Sequence, residues 1–240
     1  MTVPIGMDET RMGPVLLDLF DRDGNLVIFG DTKSGKTNLL KLIMQQLIDR
    51  YSSDEVVFAV MDPRRGLRGF LPDAYLGGYA TSGRVGAGLA GGVAGELEKR
   101  LPDDLNEGAA PVAVAGPRVI VVADDYDLLT TGGQAPMDPF LPYIASGRDI
   151  NLHFLIARRA AGASRALYEP FLTTVTESGT AGLVLSGDRA EGALFTGATP
   201  GNFPAGRGLF VRRGERPSLI QTALADGTPT TDDADGGGEQ

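Results

Sequence analysis

Positions 30 to 37 read GDTKSGKT, which fits G-x-x-x-x-G-K-[ST] at every position. These residue types in this order suit the gripping of a phosphate chain. Gly30 and Gly35 let the main chain bend tightly, so that the amides of residues 33 to 37 turn inward. A helix beginning there adds its partial positive charge. Lys36 brings an ammonium group to the outer phosphates, and the Thr37 hydroxyl is a ligand for Mg²⁺. Asp31, Thr32, Lys33, Ser34 and Asn38 complete the residues expected around a bound ATP. Lys33 is read either as a second phosphate contact or as a solvated side chain.

A second stretch, VIVVADDYD (119–127), runs an apolar strand into acid. A metal-bound nucleotide needs a carboxylate across from Thr37, at the C-terminal end of a neighbouring strand, and Asp124 stands at such an end. Asp125 then falls where an attacking water must be oriented. It is one methylene shorter than glutamate, on the order of 1.5 Å of reach. A misplacement of ~1 Å at such a group costs ~10²-fold in rate. The alternative is that both aspartates cap a following helix.

These groups need a scaffold, and short apolar runs alternating with helical patterns supply one. VLLDLF (15–20) and NLVIF (25–29) read as strands around the turn DRDG. The pairs Leu39/Leu40, Ile43/Met44 and Leu47/Ile48 recur every four residues, one face of a helix that follows the glycine loop. Further strands are expected at 55–62, 119–123, 151–157 and 182–187, with helices ending near 148 and covering 166–179. A stretch from 66 to 92 reads as irregular and glycine-rich, leading into a helix around 89–101 closed by Pro102. RGLFVRR and SLIQTAL read as a terminal hairpin around GERP. Alternation of this kind predicts an α/β domain whose largely parallel sheet is covered on both faces.

Composition sets outer limits. The 240 residues are 42% hydrophobic, enough for one large domain. There is no cysteine, which excludes disulfides and thiolate metal sites. No run is apolar enough to span a membrane, and MTVPIGMDETRMGP lacks the pattern of a secretion signal. The last fifteen residues carry −5 of the formal −9, leaving −4 on the body. The domain is therefore expected over 1–225, with 226–240 an acidic disordered tail. A weakly acidic body argues against a nucleic-acid surface. No N-K-x-D motif points to guanine, and the lone His153 sits inside a strand as a packed residue.

With both motifs in view, the chain resembles the FtsK/SpoIIIE-type ATPases, and most closely the C-terminal (third) ATPase domain of the EccC motors of type VII secretion. The resemblance runs from about residue 5 to 223. Beyond the glycine loop it rests on MDPRRGL (61–67), VVADDYD (121–127), SGRDINLHFLIARR (146–159), GASRALYEP (162–170), GLVLSGDRAEG (182–192) and PAGRGLFVRRGE (204–215). It implies a RecA-like core, Mg²⁺ and ATP as cofactors, and assembly with other ATPase domains of the same motor. It also implies small helical secreted substrates of the WXG100 kind, and a place at the inner face of the cell membrane through the rest of the complex. Arg148 matches a finger arginine acting in trans, or is an ordinary surface arginine. Arg158 stands where translocating relatives have a glutamine sensor, a departure from the pattern. PAGRG (204–208) is either an adenine-side segment or a simple turn.

The resemblance further implies an altered site, with DDYD in place of the Asp-Glu of an active domain, and a C-terminal piece of a longer chain. Three functions are compatible. The first is a domain that binds Mg·ATP and hydrolyses it slowly or not at all. The second is a fully active ring ATPase moving protein, less readily DNA. The third is a nucleotide-free scaffold.

Overall fold

The computed structural model describes residues 2–101 and 116–226. Its strands in chain order are β1 (Val3–Asp8), β2 (Pro14–Leu17), β3 (Leu26–Phe29), β4 (Val56–Met61), β5 (Leu76–Ala80), β6 (Arg118–Ala123), β7 (Leu152–Arg158), β8 (Ala181–Val184), β9 (Arg207–Val211) and β10 (Ser218–Thr222). All ten join one sheet in the order β2-β1-β10-β9-β8-β3-β7-β6-β4-β5. The segment from β8 to β5 is parallel throughout. The flank from β9 to β2 is antiparallel.

Burial explains the difference. Strands β3 and β7 are buried at every residue and β6 at all but its first, as expected of strands covered on both faces. Strand β2 alternates exposed and buried residues, the signature of a one-sided edge.

Among the described residues five helices cover the sheet: α1 (Lys36–Ile48), α2 (Gly83–Glu98), α3 (Tyr126–Leu129), α4 (Ala163–Ala166) and α5 (Pro170–Glu177). On one face α1 buries Leu39, Leu40, Ile43, Met44 and Leu47 against Leu26, Ile28, Phe58, Val60, Ile120 and Val122. Each such side chain, fully buried, stabilises by ~1.5–3 kcal/mol. Ile43→Asp would place a charge at a fully buried position and break this layer. On the other face α2 to α5 pack over Val27, Phe29, Val121, Phe154 and Ile156. Phe154 stacks edge-on against Phe140 and Phe171 at ring distances of 5.4 and 5.3 Å.

The structure corrects several expectations. The glycine-rich stretch is not irregular: it contains strand β5 and the start of α2, which begins at Gly83 behind the N-cap Ser82. Two of the glycines that argue against helix, Gly83 and Gly86, serve close approach, while Gly88, Gly91, Gly92 and Gly95 face open space. A side chain at Gly83 would meet Leu129 O at 2.2 Å, and one at Gly86 would meet Met61 Sδ at 3.0 Å. Strand β1 precedes the first expected strand. The helix expected over 166–179 is two, broken where Pro170 starts α5. The helix end near 148 is a 3-10 turn at Asp138–Tyr143, tightened by Pro142. Pro102 and residues 227–240 of the acidic tail lie outside the described residues.

Candidate nucleotide site

The glycine loop leaves the C-terminal end of β3 and enters α1. Gly30 N–H donates to Arg158 O (3.2 Å) and Asp31 N–H to Ser186 O (2.8 Å), so the strands on either side of β3 anchor its start. Three residues carry the bend. Lys33 has φ 63 and Gly35 φ 104, both left-handed. Gly30 is required for space, since a Cβ there would meet Ser34 Oγ at 2.4 Å. The segment PAGRG backs the same loop: Gly206 N–H donates to Ser34 O at 2.8 Å, and a Cβ on Gly35 would come within 3.0 Å of Gly206 N.

Lys36 is buried, and its ammonium donates to Gly30 O (2.9 Å) and Asp31 O (3.0 Å). Both acceptors are neutral carbonyls, so its charge is not neutralised by them. The Thr37 hydroxyl donates to Asp124 Oδ2 at 2.6 Å. Burial pushes the Asp124 carboxyl up to about 6; the hydrogen bond from Thr37 opposes this, while the charges of Asp125 and Asp62 add to it. The Ser34 hydroxyl is buried without a hydrogen-bond partner. A hydroxyl and a carboxylate side by side are hard oxygen donors of the kind Mg²⁺ prefers. With an ammonium held by neutral carbonyls and a glycine-shaped hollow beside them, the residues fit a magnesium-bound nucleotide.

Asp124 does not stand on a neighbouring strand. Strand β7 lies between β3 and β6, and the reach is made because Asp124 follows β6 at its C-terminal end. Asp125 is left-handed at φ 46, and its carboxylate pairs with Arg64 Nε at 2.7 Å. Asp127 turns elsewhere and accepts from both the Arg159 amide (3.1 Å) and guanidinium (2.8 Å). Burial raises its carboxyl, but these bonds and the arginine charge bring it below the usual range. DDYD and ARR are thus joined physically.

Three expected residues turn their side chains away from the hollow of the glycine loop. The side chain of Asn38 clasps the C-terminal segment instead, donating to Ala223 O (2.9 Å) and accepting from Ala225 N–H (3.0 Å). Arg158 is buried on the α2–α5 face by strand alternation, its nearest charges those of Asp127, Glu169 and Glu191, so it does not face the α1 side. Arg148 is exposed at the opposite end of the sheet and donates to Arg22 O (3.1 Å). His153 is packed, with Nδ1 2.8 Å from Gly24 O and the ring against Phe20. Asp31, Thr32 and Lys33 line the loop.

Two residues at this edge were not assigned by the sequence reading. Arg64 is the partner of Asp125. Asp62 follows β4 as Asp124 follows β6, and it was visible in principle: VFAVMD repeats the apolar-to-acid pattern of VIVVAD.

The profile of the FtsK/SpoIIIE family matches residues 1–70. The ESX secretion system protein EccC of Thermomonospora curvata is 38% identical over 224 residues, 92% of this chain but 17% of that protein, so the chain spans under a fifth of its length. The solved cytoplasmic domain of that type VII secretion ATPase superposes with a TM-score of 0.87 at 36% identity, covering 93% of this chain and 26% of the other. A structure of ATPases 2 and 3 of the same EccC, in complex with a signal sequence peptide, gives 0.86 at 36% identity, over 93% and 40% of the two chains. By sequence and by fold, the chain is an FtsK/SpoIIIE-type P-loop ATPase domain with a RecA-like core, homologous to the ATPase domains of EccC from type VII secretion.

Proposed function

We propose that this domain binds Mg·ATP and hydrolyses it slowly or not at all, as part of a type VII secretion motor at the cytoplasmic face of the membrane. Thr37 and Asp124 would hold the magnesium, Lys36 and the loop amides the phosphates, and the metal, once bound, neutralises phosphate charge. The observation that carries the reading is the state of Asp125: a short carboxylate, left-handed, and held by Arg64 at 2.7 Å. Such a group is poorly placed to orient a water. Arg158, buried on the other face, supplies no substitute sensor.

A relative's ATPases 2 and 3 were solved with a signal sequence peptide, which supports a role for this domain in recognising helical secreted substrates. Contacts with other ATPase domains of the motor are part of the same reading. A ring is favoured by one placement: Arg148, exposed at the far end of the sheet, could meet only another chain's cradle.

The test is calorimetric binding of a non-hydrolysable ATP analogue with Mg²⁺, followed by steady-state turnover. Binding with turnover well under roughly 1 s⁻¹, the low end for enzymes, is expected. Faster turnover that Lys36→Ala abolishes would replace slow hydrolysis by an active motor. No binding would leave a nucleotide-free scaffold.

A further inference from the structure

Asp62 is fully buried at the end of β4, and its two oxygens are used unequally. Oδ2 accepts from Leu67 N–H (2.7 Å) and from the Tyr79 hydroxyl (2.6 Å). Oδ1 is buried and has no partner. A buried carboxylate oxygen without a donor is costly and rare.

Its position says what it faces. Strands β4 and β6 are parallel neighbours with Met61 opposite Ala123. The next residues, Asp62 and Asp124, therefore sit side by side on adjacent strands, which are spaced by about 4.8 Å. Val60 and Val122 belong to the α1-side core, so by alternation both aspartates fall on the face that carries Thr37. The loop that follows Asp62 closes over the same place, since a Cβ on Gly66 would lie 3.4 Å from Thr37 Cγ2. Two buried carboxylates are thus adjacent at the mouth of the cradle, and one of the four oxygens is unclaimed.

We infer that Asp62 is the second carboxylate of the metal–nucleotide site, its free Oδ1 accepting a hydrogen bond from water bound to the cation that Thr37 and Asp124 hold. It is a positioning residue and not a direct ligand: its other oxygen is fixed by Leu67 and Tyr79, which aims the free one. Outer partners of this kind govern metal affinity about 10–100-fold. The inference rests on the Mg·ATP reading above.

The experiment is a Mn²⁺ titration followed by electron paramagnetic resonance, in the presence of a non-hydrolysable ATP analogue. It is run at pH 8, where Asp124 is ionised. Asp62→Asn keeps shape and the Oδ2 contacts but puts a donor where the free acceptor was. Its Mn²⁺ midpoint should rise at least tenfold, with metal-free nucleotide binding and the melting temperature of the empty protein unchanged. Tyr79→Phe loosens the support but keeps the acceptor, and should shift the midpoint less than threefold. An Asp62→Asn midpoint within twofold of the unsubstituted protein overturns the inference. So does an equal shift from Tyr79→Phe, which would make Asp62 a loop support only. If the unsubstituted protein shows no metal-dependent nucleotide binding, the Mg·ATP reading itself fails, a result distinct from either.

Discussion

The two ends of the parallel sheet treat their polar groups in opposite ways. At the start of the strands the buried side-chain polar atoms all have partners among the described residues. Asn25 donates to Ser178 and Thr180 hydroxyls at 3.2 and 3.3 Å and accepts from Phe154 N–H at 2.9 Å. His153 is closed against Gly24 O, and Arg212 holds Asp23 with two contacts of 2.6 and 2.8 Å. At the finishing end, the Ser34 hydroxyl and one oxygen of Asp62 are buried without partners, and Lys36 leans on neutral carbonyls. One end is built for stability. The other keeps buried polar atoms without partners, and lies where α/β sheets place ligands.

Substitutions can break this contrast. The largest effect is expected from Lys36→Ala, which should weaken Mg·ATP binding about 100-fold, roughly 2.7 kcal/mol, with the melting temperature of the empty protein unchanged or raised. Calorimetry with the non-hydrolysable analogue reads this directly. Asn25→Ala at the opposite end should do the reverse. It leaves the buried Phe154 amide unpaired and should cost about 2 kcal/mol in urea unfolding, with nucleotide affinity intact.

The pH dependence sharpens the same contrast. Burial lowers His153 to about 4. Its neutral form is favoured on folding, so its contribution is complete above the unfolded value near 6.5 and is lost as pH falls toward 4. By pH 5 the loss is about 2 kcal/mol. Asp124, raised to about 6, works in the other sense: its contribution is present below the ordinary carboxylate value and fades as pH rises through 6. His153→Gln should therefore remove the acid-side loss and leave the Asp124 trend alone, seen in melting temperatures from pH 7 to 4.5. The smallest effect belongs to neither end. Breaking the exposed Lys99–Glu96 pair should leave the melting temperature unchanged, because water screens both charges.

Much of the cradle was legible because its physics is local. The loop GDTKSGKT needs only a preceding strand and a following helix, and both announce themselves by periodicity. The helix face of α1 followed the four-residue spacing to Leu47, where Ile48 turned out half-buried. What the sequence hid is what depends on partners far along the chain. Strand order is one case, since nothing in VIVVAD tells that β7 intervenes between Asp124 and the loop. Glycine misled in α2 in part because Gly83 and Gly86 serve proximity to Leu129 and Met61, which propensity does not record. The pairing of Asp125 with Arg64 and the clasp of Asn38 likewise join positions that no local rule connects.

That clasp has a mechanical side. The amide of Asn38 stitches the segment leaving β10 to the first turn of α1, one residue beyond Thr37. The same segment is also held to β1, where Ala223 N–H donates to Ile5 O at 3.0 Å, and Ala225 is buried in the core under α1, so a pull on the chain past Ala225 would be shared between the start of α1 and the antiparallel flank.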